Sequence, residues 1–307
     1  MTVAATDFHH PALLYSGSTE YLTAVSGFVR CAVDDGDPVL IAVPGRNLEL
    51  VRDALADLGD RVGFADMAVT GRNPGHIIPG VLLRFAAGHP GRRVSIVGEP
   101  IWPDRSPMEY PACAAHEALI NAAFAGRDAA ILCPYDVERL DPAVVEDAWS
   151  THPTMIENGV LRDSDRYADP VVTAAAFNQP LPPPPPDADS LVYRDALSAV
   201  RSFVRRTAAA HLTEVRTEEL VLAASEVAAN TVEHTTGRGR VTVWAEPDMV
   251  VCQFEDSGHL TDPLAGRIMP PDIGHCGFGL VLANELCDLV RIHSVPAGTT
   301  IRLQKLR

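Results

Sequence analysis

Residues 226–234 read EVAANTVEH, and Glu226, Asn230 and His234 recur at every fourth position. In an α-helix that spacing stacks side chains along one face, so one carboxylate, one amide and one imidazole look in the same direction. A carboxylate so placed can accept a proton, and a neutral amide oxygen suits a hard cation. Three further short stretches follow. FEDSG ends an apolar run with Asp256 and Gly258, GHCGFGLVLANELCD puts Gly277, Gly279 and Leu280 at the mouth of a helix, and AGTTIRL puts Thr299 and Thr300 at the start of a last strand. Glycines lack Cβ and let backbone N–H groups approach an anion at a helix start, where the helix dipole also favours negative charge. Taken singly, each stretch has an ordinary reading as a turn, a loose helix start or a solvated helix face.

The elements that must carry these residues are legible in outline. The stretch NQPLPPPPPDADS contains five consecutive prolines, Pro182 to Pro186, which favour an extended polyproline helix and read as a semi-rigid spacer; an SH3-type ligand is the alternative. Domains are therefore expected at 8–175 and 190–307, joined by a proline-rich linker at 176–189. Before the linker, the apolar runs PALLYSG, PVLIAVPG, RRVSIVGEP and AAILCPYD alternate with helix-like stretches such as TEYLTAVSGFVRCAVDDG and ACAAHEALINAAFAG. That order predicts an α/β domain with a largely parallel sheet. After the linker, helices at about 191–211 and 218–235 precede two paired strands, a helix and two last strands, which predicts an α+β two-layer sandwich.

The four motifs, in this order and at these distances, resemble the ATP-binding fold shared by gyrase, Hsp90, histidine kinases and MutL, and most closely its anti-sigma-factor serine-kinase branch. The resemblance covers about 190–307. It implies bound ATP and Mg²⁺, with Asn230 as magnesium ligand and Glu226 as general base. It also implies that Asp256 accepts a hydrogen bond from the adenine amino group with help from Thr299 or Thr300, that Gly258, Gly277, Gly279 and Leu280 shape the nucleotide loops, and that His234 reaches phosphate. The first glycine box departs from the family's D-x-G-x-G in having Leu260 at the second glycine, and only 18 residues separate Gly258 from Gly277. A histidine kinase would need a phosphoacceptor histidine on a helix just upstream. His211 there has no acidic residue following it, and the HEAL at His116 lies over 100 residues too early, so phosphorylation is expected on a serine or threonine of a partner.

The first half contains no lysine, since Lys305 is the chain's single one, and a phosphate loop of the Walker type needs lysine; an NTPase-like core there would be degenerate. HHPALLYSG, HEALINAAF, ILCPYD and THPTMIENG together resemble the MEDS sensory domain of methanogen and methylotroph regulators, which implies that a small-molecule or redox signal is sensed. Candidate polar liners of a pocket are His9, His10, Glu99, His116, Tyr135, Asp136 and His152, with no tight metal-ligand spacing among them.

Forty acidic against 25 basic residues give a net charge of −15 with no offsetting cluster of Lys or Arg, which does not point to nucleic acid and disfavours anionic lipid. Six cysteines without a CxxC pair argue against zinc and against a disulfide scaffold, and fit a reducing cytoplasm. No run approaches a membrane span, and no leader pattern opens the chain. The function expected is a cytoplasmic signal-responsive regulator that binds Mg-ATP and phosphorylates a partner in a sigma-factor circuit, either a sigma factor or an anti-sigma antagonist. The alternative is a non-catalytic, nucleotide-gated protein-binding switch. An ATP hydrolase of the gyrase kind is weaker for want of a transducer domain after residue 307, and a homodimer is compatible with either reading.

Overall fold

Continuous apolar runs such as Val39–Val43 and Val94–Gly98 are buried along their whole length, the pattern of strands covered on both faces in a parallel sheet. They belong to a computed structural model that describes residues 8–269 and 277–307. Residues 274–276 of the glycine-rich stretch, with Cys276, lie outside the described residues, as do residues 1–7. The chain divides into two units, the first made of residues up to 72 and of 80–177, the second of 73–79 and 178–307.

The first unit's strands are β1 (Phe8–His9), β2 (Pro11–Tyr15), β3 (Val39–Val43), β4 (Val62–Asp66), β5 (Val94–Gly98), β6 (Ala129–Asp136), β7 (Thr154–Glu157) and β8 (Val160–Asp163). They form one sheet in the order β4-β3-β5-β6-β2-β7-β8, with β1 also on β6. All pairings are parallel except β7 with β8, which meet through Asn158-Gly159, both at positive φ, as a tight hairpin turn requires. The helix Gly17–Asp34 buries Tyr21, Val25, Val29 and Ala32, one stripe at helical period that meets the sheet. The largely parallel α/β architecture expected from the alternating runs is the one observed; β4, and the hairpin of β7 and β8, are additions to it.

The second unit's strands are β9 (Asp189–Arg194), β10 (Arg238–Ala245), β11 (Met249–Asp256), β12 (Leu289–Val295) and β13 (Gly298–Leu306). They form an antiparallel sheet in the order β12-β13-β11-β10-β9. The helices Leu197–Ala208, Glu214–His234 and Phe278–Leu286 share one core with it, in which Val200, Val204, Leu220, Ala224, Phe254 and Leu303 are buried. Thr213 caps the long helix by accepting from the Arg216 N–H, which satisfies a donor the helix start leaves unpaired. Helices on an antiparallel sheet are the expected sandwich, with one correction. The first helix begins at Leu197 and not at 191, because residues 189–194 form β9 against β10, where Tyr193 is buried and its hydroxyl finds a partner.

The proline segment is laid along this second unit. Asn178 exchanges two hydrogen bonds with the Ser294 backbone, at 2.7 and 3.1 Å, and Arg302 donates to the carbonyl of Pro182. No described helix is long and apolar enough to cross a membrane.

Two predictions follow from burial. Phe254 is 1% exposed in the second core, so Phe254→Ala should cost about 3–5 kcal/mol of unfolding free energy, read by urea denaturation. In the first unit, Glu99 is buried beyond the end of β5, and burial, against the hydrogen bonds of Asn47 and Tyr21, pushes its carboxyl up from 4.5 to about 8. The folded state holds that proton more tightly than the unfolded chain, so the stability it gives is full below about pH 4.5 and is lost as pH rises through about 8. Glu99→Gln, which stays neutral, should therefore melt several degrees above wild type at pH 9 and lose that advantage at pH 5; a difference independent of pH would be the contrary result.

Candidate nucleotide site

The long helix presents Asn230 and His234 to a cavity of about 660 Å³, whose lining also includes Asp256, Gly258, Gly277, Leu280 and Thr299. That volume lies within the range of small-molecule sites. Seven of the ten residues singled out from the sequence thus meet around one space. Thr300 does not line it: it follows Thr299 along β13, and successive strand residues point to opposite faces. Glu226 and Gly279 stand just outside the lining. A side-chain carbon built on Gly279 would lie 3.1 Å from Glu226 Oε2, 3.3 Å from Asn230 Nδ2 and 3.4 Å from Asn230 Oδ1. Those distances are tight, so glycine eases the approach of this helix start to that face. Gly277 precedes it at φ 130°, a backbone state other residues rarely adopt.

Asp256 is fixed from two sides. Its Oδ1 accepts the Gly258 N–H at 2.8 Å and its Oδ2 accepts the Thr231 hydroxyl at 2.8 Å. Thr231 accepts in turn from the Tyr193 hydroxyl at 3.0 Å, and burial, with Asp256 adding to it, pushes that phenol up to about 12, so it remains a donor. An ionised carboxylate has about four lone-pair positions; two are used, which leaves acceptor capacity on a group whose direction is set.

Across the strand pair, Thr299 sits in register with Asp256. Its hydroxyl donates to the Gly258 carbonyl at 2.8 Å and takes a hydrogen bond from Ser294 Oγ at 2.7 Å, while Ser294 accepts from the Leu260 N–H at 2.8 Å. Leu260, where the family pattern has glycine, is thus held by its backbone and adds an apolar wall to the cavity. Thr231, Tyr193 and Ser294 were not legible as site residues; the one signal for Thr231 is its place directly after Asn230.

The first unit's candidates do not share one pocket. His9 is exposed on β1, and His116 is buried in the helix Tyr110–Ala123. Glu99 accepts from Asn47 at 2.9 Å and from Tyr21 at 3.3 Å; Asp136 lines a small cavity of about 130 Å³ together with Tyr21 and Asn47. His10 and His152 lie elsewhere, with ring centroids 4.2 Å apart, and Tyr135 stands edge-on to His152 at 5.5 Å. Burial, and then His152, push His10 down to about 4, so it is neutral at neutral pH. Glu117 and Cys133, which the sequence did not single out, complete that group.

Comparison with known proteins finds two families along the chain. Residues 9–153 match the family described as MEDS, the methanogen/methylotroph, DcmR sensory domain, and residues 193–305 match the histidine kinase-like ATPase domain. No curated protein matches. Among solved structures, the RsbU and RsbW domains of Rv1364c from Mycobacterium tuberculosis are 24% identical to this chain, with a TM-score of 0.29, over 38% of this chain and 32% of that one; the match spans about a third of that protein's chain. The protein therefore joins a MEDS domain at residues 9–153 to a histidine kinase-like ATPase domain at residues 193–305.

Proposed function

We propose that the second unit binds Mg-ATP and transfers a phosphoryl group to a serine or threonine of a partner protein, in the manner of the anti-sigma-factor kinases, under control of a signal received by the MEDS domain. The observation that carries this is the close approach of Gly279 to Glu226 and Asn230, where an added Cβ would lie 3.1–3.4 Å from their polar atoms, and which brings a carboxylate, an amide and a helix start to the edge of one cavity.

The residues present fit the nucleotide. Asp256, already oriented, offers the acceptor an adenine amino group needs, and Leu260, Ile268 and Leu280 give the cavity apolar walls for a flat ring. Gly277 and Gly279 leave the N–H groups of the helix start open to phosphate oxygens. Asn230 would hold Mg²⁺, which takes few protein ligands. When bound, Mg-ATP supplies the phosphoryl group. Glu226 accepts the proton of the attacking hydroxyl, and its half-buried position beside Gly279 lets a hydroxyl approach from outside. The partner on this reading belongs to a sigma-factor circuit, either the sigma factor or an antagonist of its inhibitor.

The test is incubation of the full chain with labelled ATP and candidate antagonist proteins. Mg-ATP should raise the melting temperature in a concentration-dependent way, Asn230→Ala should remove the dependence on Mg²⁺, and Asp256→Asn should weaken preference for adenine over guanine nucleotides. Glu226→Gln keeps the shape but not the proton affinity, so it should bind Mg-ATP as wild type does while transfer falls roughly 10²- to 10⁴-fold. If wild type binds Mg-ATP and partner yet labels nothing, the kinase reading fails and a nucleotide-gated binding switch replaces it. No stabilisation at millimolar Mg-ATP would defeat both.

A further inference from the structure

The MEDS unit buries four side chains whose chemistry the nucleotide site does not use. His10 lies between β1 and β2, Glu117 on the helix Tyr110–Ala123, Cys133 in β6, and His152 directly after the helix Pro142–Thr151. All four are at most 1% exposed, and one ligand atom from each lies within 4.8 Å of every other.

Hydrogen bonds around the group determine where its protons are. The amide nitrogen of Asn121 faces only carbonyl oxygens, of Thr151 at 2.8 Å and of Ala118 at 3.1 Å, so it is the donor end and Asn121 Oδ1 must accept. It accepts from His10 Nδ1 at 3.1 Å. His152 Nδ1 lies 2.9 Å from the Thr151 hydroxyl and 3.0 Å from the carbonyl of Ala148. His10 therefore carries hydrogen on Nδ1, as does His152 where it donates to Ala148, and in such a neutral ring Nε2 is a bare lone pair. Those nitrogens face a carboxylate and a thiol. His10 Nε2 is 3.3 Å from Glu117 Oε2 and 3.3 Å from Cys133 Sγ, and His152 Nε2 is 3.2 Å from Glu117 Oε2. Apart from these contacts and the Cys133 thiol, neither oxygen of Glu117 has a hydrogen-bond partner, nor does His152 Nε2.

A carboxylate, two ring nitrogens and a thiol turned on one another without water have few hydrogens to share. The Cys133 thiol hydrogen and a proton on either imidazole each serve one contact and leave the others. A divalent cation serves all of them, and with Cys133 as thiolate its charge is cancelled by thiolate and carboxylate together. The spacing fits: two ligands at about 2.0–2.1 Å from a tetrahedral Zn²⁺ stand about 3.3 Å apart. The Nδ1 bonds to Asn121 and to the Ala148 carbonyl are the outer-shell partners that orient metal-bound histidines. We infer that His10, Glu117, Cys133 and His152 form a closed, four-ligand site for a divalent transition-metal ion of the zinc class inside the MEDS domain. Binding displaces the Cys133 proton to solvent. The absence of a CxxC pair does not bear on this site, because its ligands come from four separate elements.

The experiment uses the full chain, stripped with a chelator and titrated with Co²⁺ and then with Zn²⁺. Co²⁺ should saturate at about one ion per chain with tetrahedral visible bands and a sulfur-to-metal charge-transfer band, and Zn²⁺ should displace it. Cys133→Ser should lose the charge-transfer band, Glu117→Gln and His152→Gln should weaken binding at least tenfold, and Cys113→Ser, a buried thiol outside the group, should leave the spectrum unchanged. A folded wild-type chain that takes up neither ion stoichiometrically overturns the assignment, as does a charge-transfer band that survives in folded Cys133→Ser. Should a ligand variant fail to fold, the wild-type titration still decides.

Discussion

The arrangement of the second unit depends on one missing side chain. With no Cβ at Gly279, the start of the helix Phe278–Leu286 reaches the Glu226–Asn230 face of the long helix within ordinary contact distance. Both helices bury their other sides in the same core, through Val227 and Ala228 on one and Leu280 and Ala283 on the other. The polar face is consequently neither in the core nor in open water. It lies at the rim of a cavity, where a carboxylate keeps access to solvent and an amide keeps access to a ligand. A methyl group at 279 would push the two apart or crowd the carboxylate, with no compensating contact.

Asp256 is the second joint. One carboxylate connects the long helix through Thr231, its own loop through Gly258, and faces Thr299 on the neighbouring strand. Three elements distant in sequence thus share one polar group at the end of β11. Such a network is useful only when complete, because an unpaired member at this depth costs about as much as the pair contributes. Completeness is visible in the line Tyr193 to Thr231 to Asp256 and in the line Leu260 to Ser294 to Thr299 to Gly258, where the hydroxyls of Thr231, Ser294 and Thr299 both give and receive. The substitution of leucine for the usual second glycine at 260 is absorbed there: the backbone is held by Ser294, and the side chain turns to the cavity wall.

What could be read from sequence was what obeys a local period or a short motif. The parallel sheet of the first unit was legible because its strands are uniformly apolar, and Glu226, Asn230 and His234 were legible because a helix repeats near every fourth residue. β9 was not, since six residues before a long amphipathic helix look like its first turns until a partner strand supplies hydrogen bonds. The group around His10 was opaque for a stronger reason. Its members are 107, 16 and 19 residues apart in turn, and only the pairing of β2 with β6, and the closure of two helices over them, make them neighbours. In the stretch HEAL the eye falls on His116, whereas it is Glu117, the next residue round the helix, that faces the other donors.

The first unit handles two buried carboxyls in different ways, and the contrast sharpens what each site requires. Glu99 is surrounded by donors that stay neutral, the amide of Asn47 and the phenol of Tyr21; burial outweighs them and the opposed charges of Asp136 and Arg139, and a single proton satisfies it. Glu117 meets no amide or backbone N–H; its neighbours are two imidazole nitrogens and the thiol of Cys133. A proton placed between Glu117 and one ring leaves the other ring without one. The same low dielectric that makes a lone carboxyl keep its proton therefore makes a converging set of donors demand something a proton cannot give, namely one positive charge that touches all four at once.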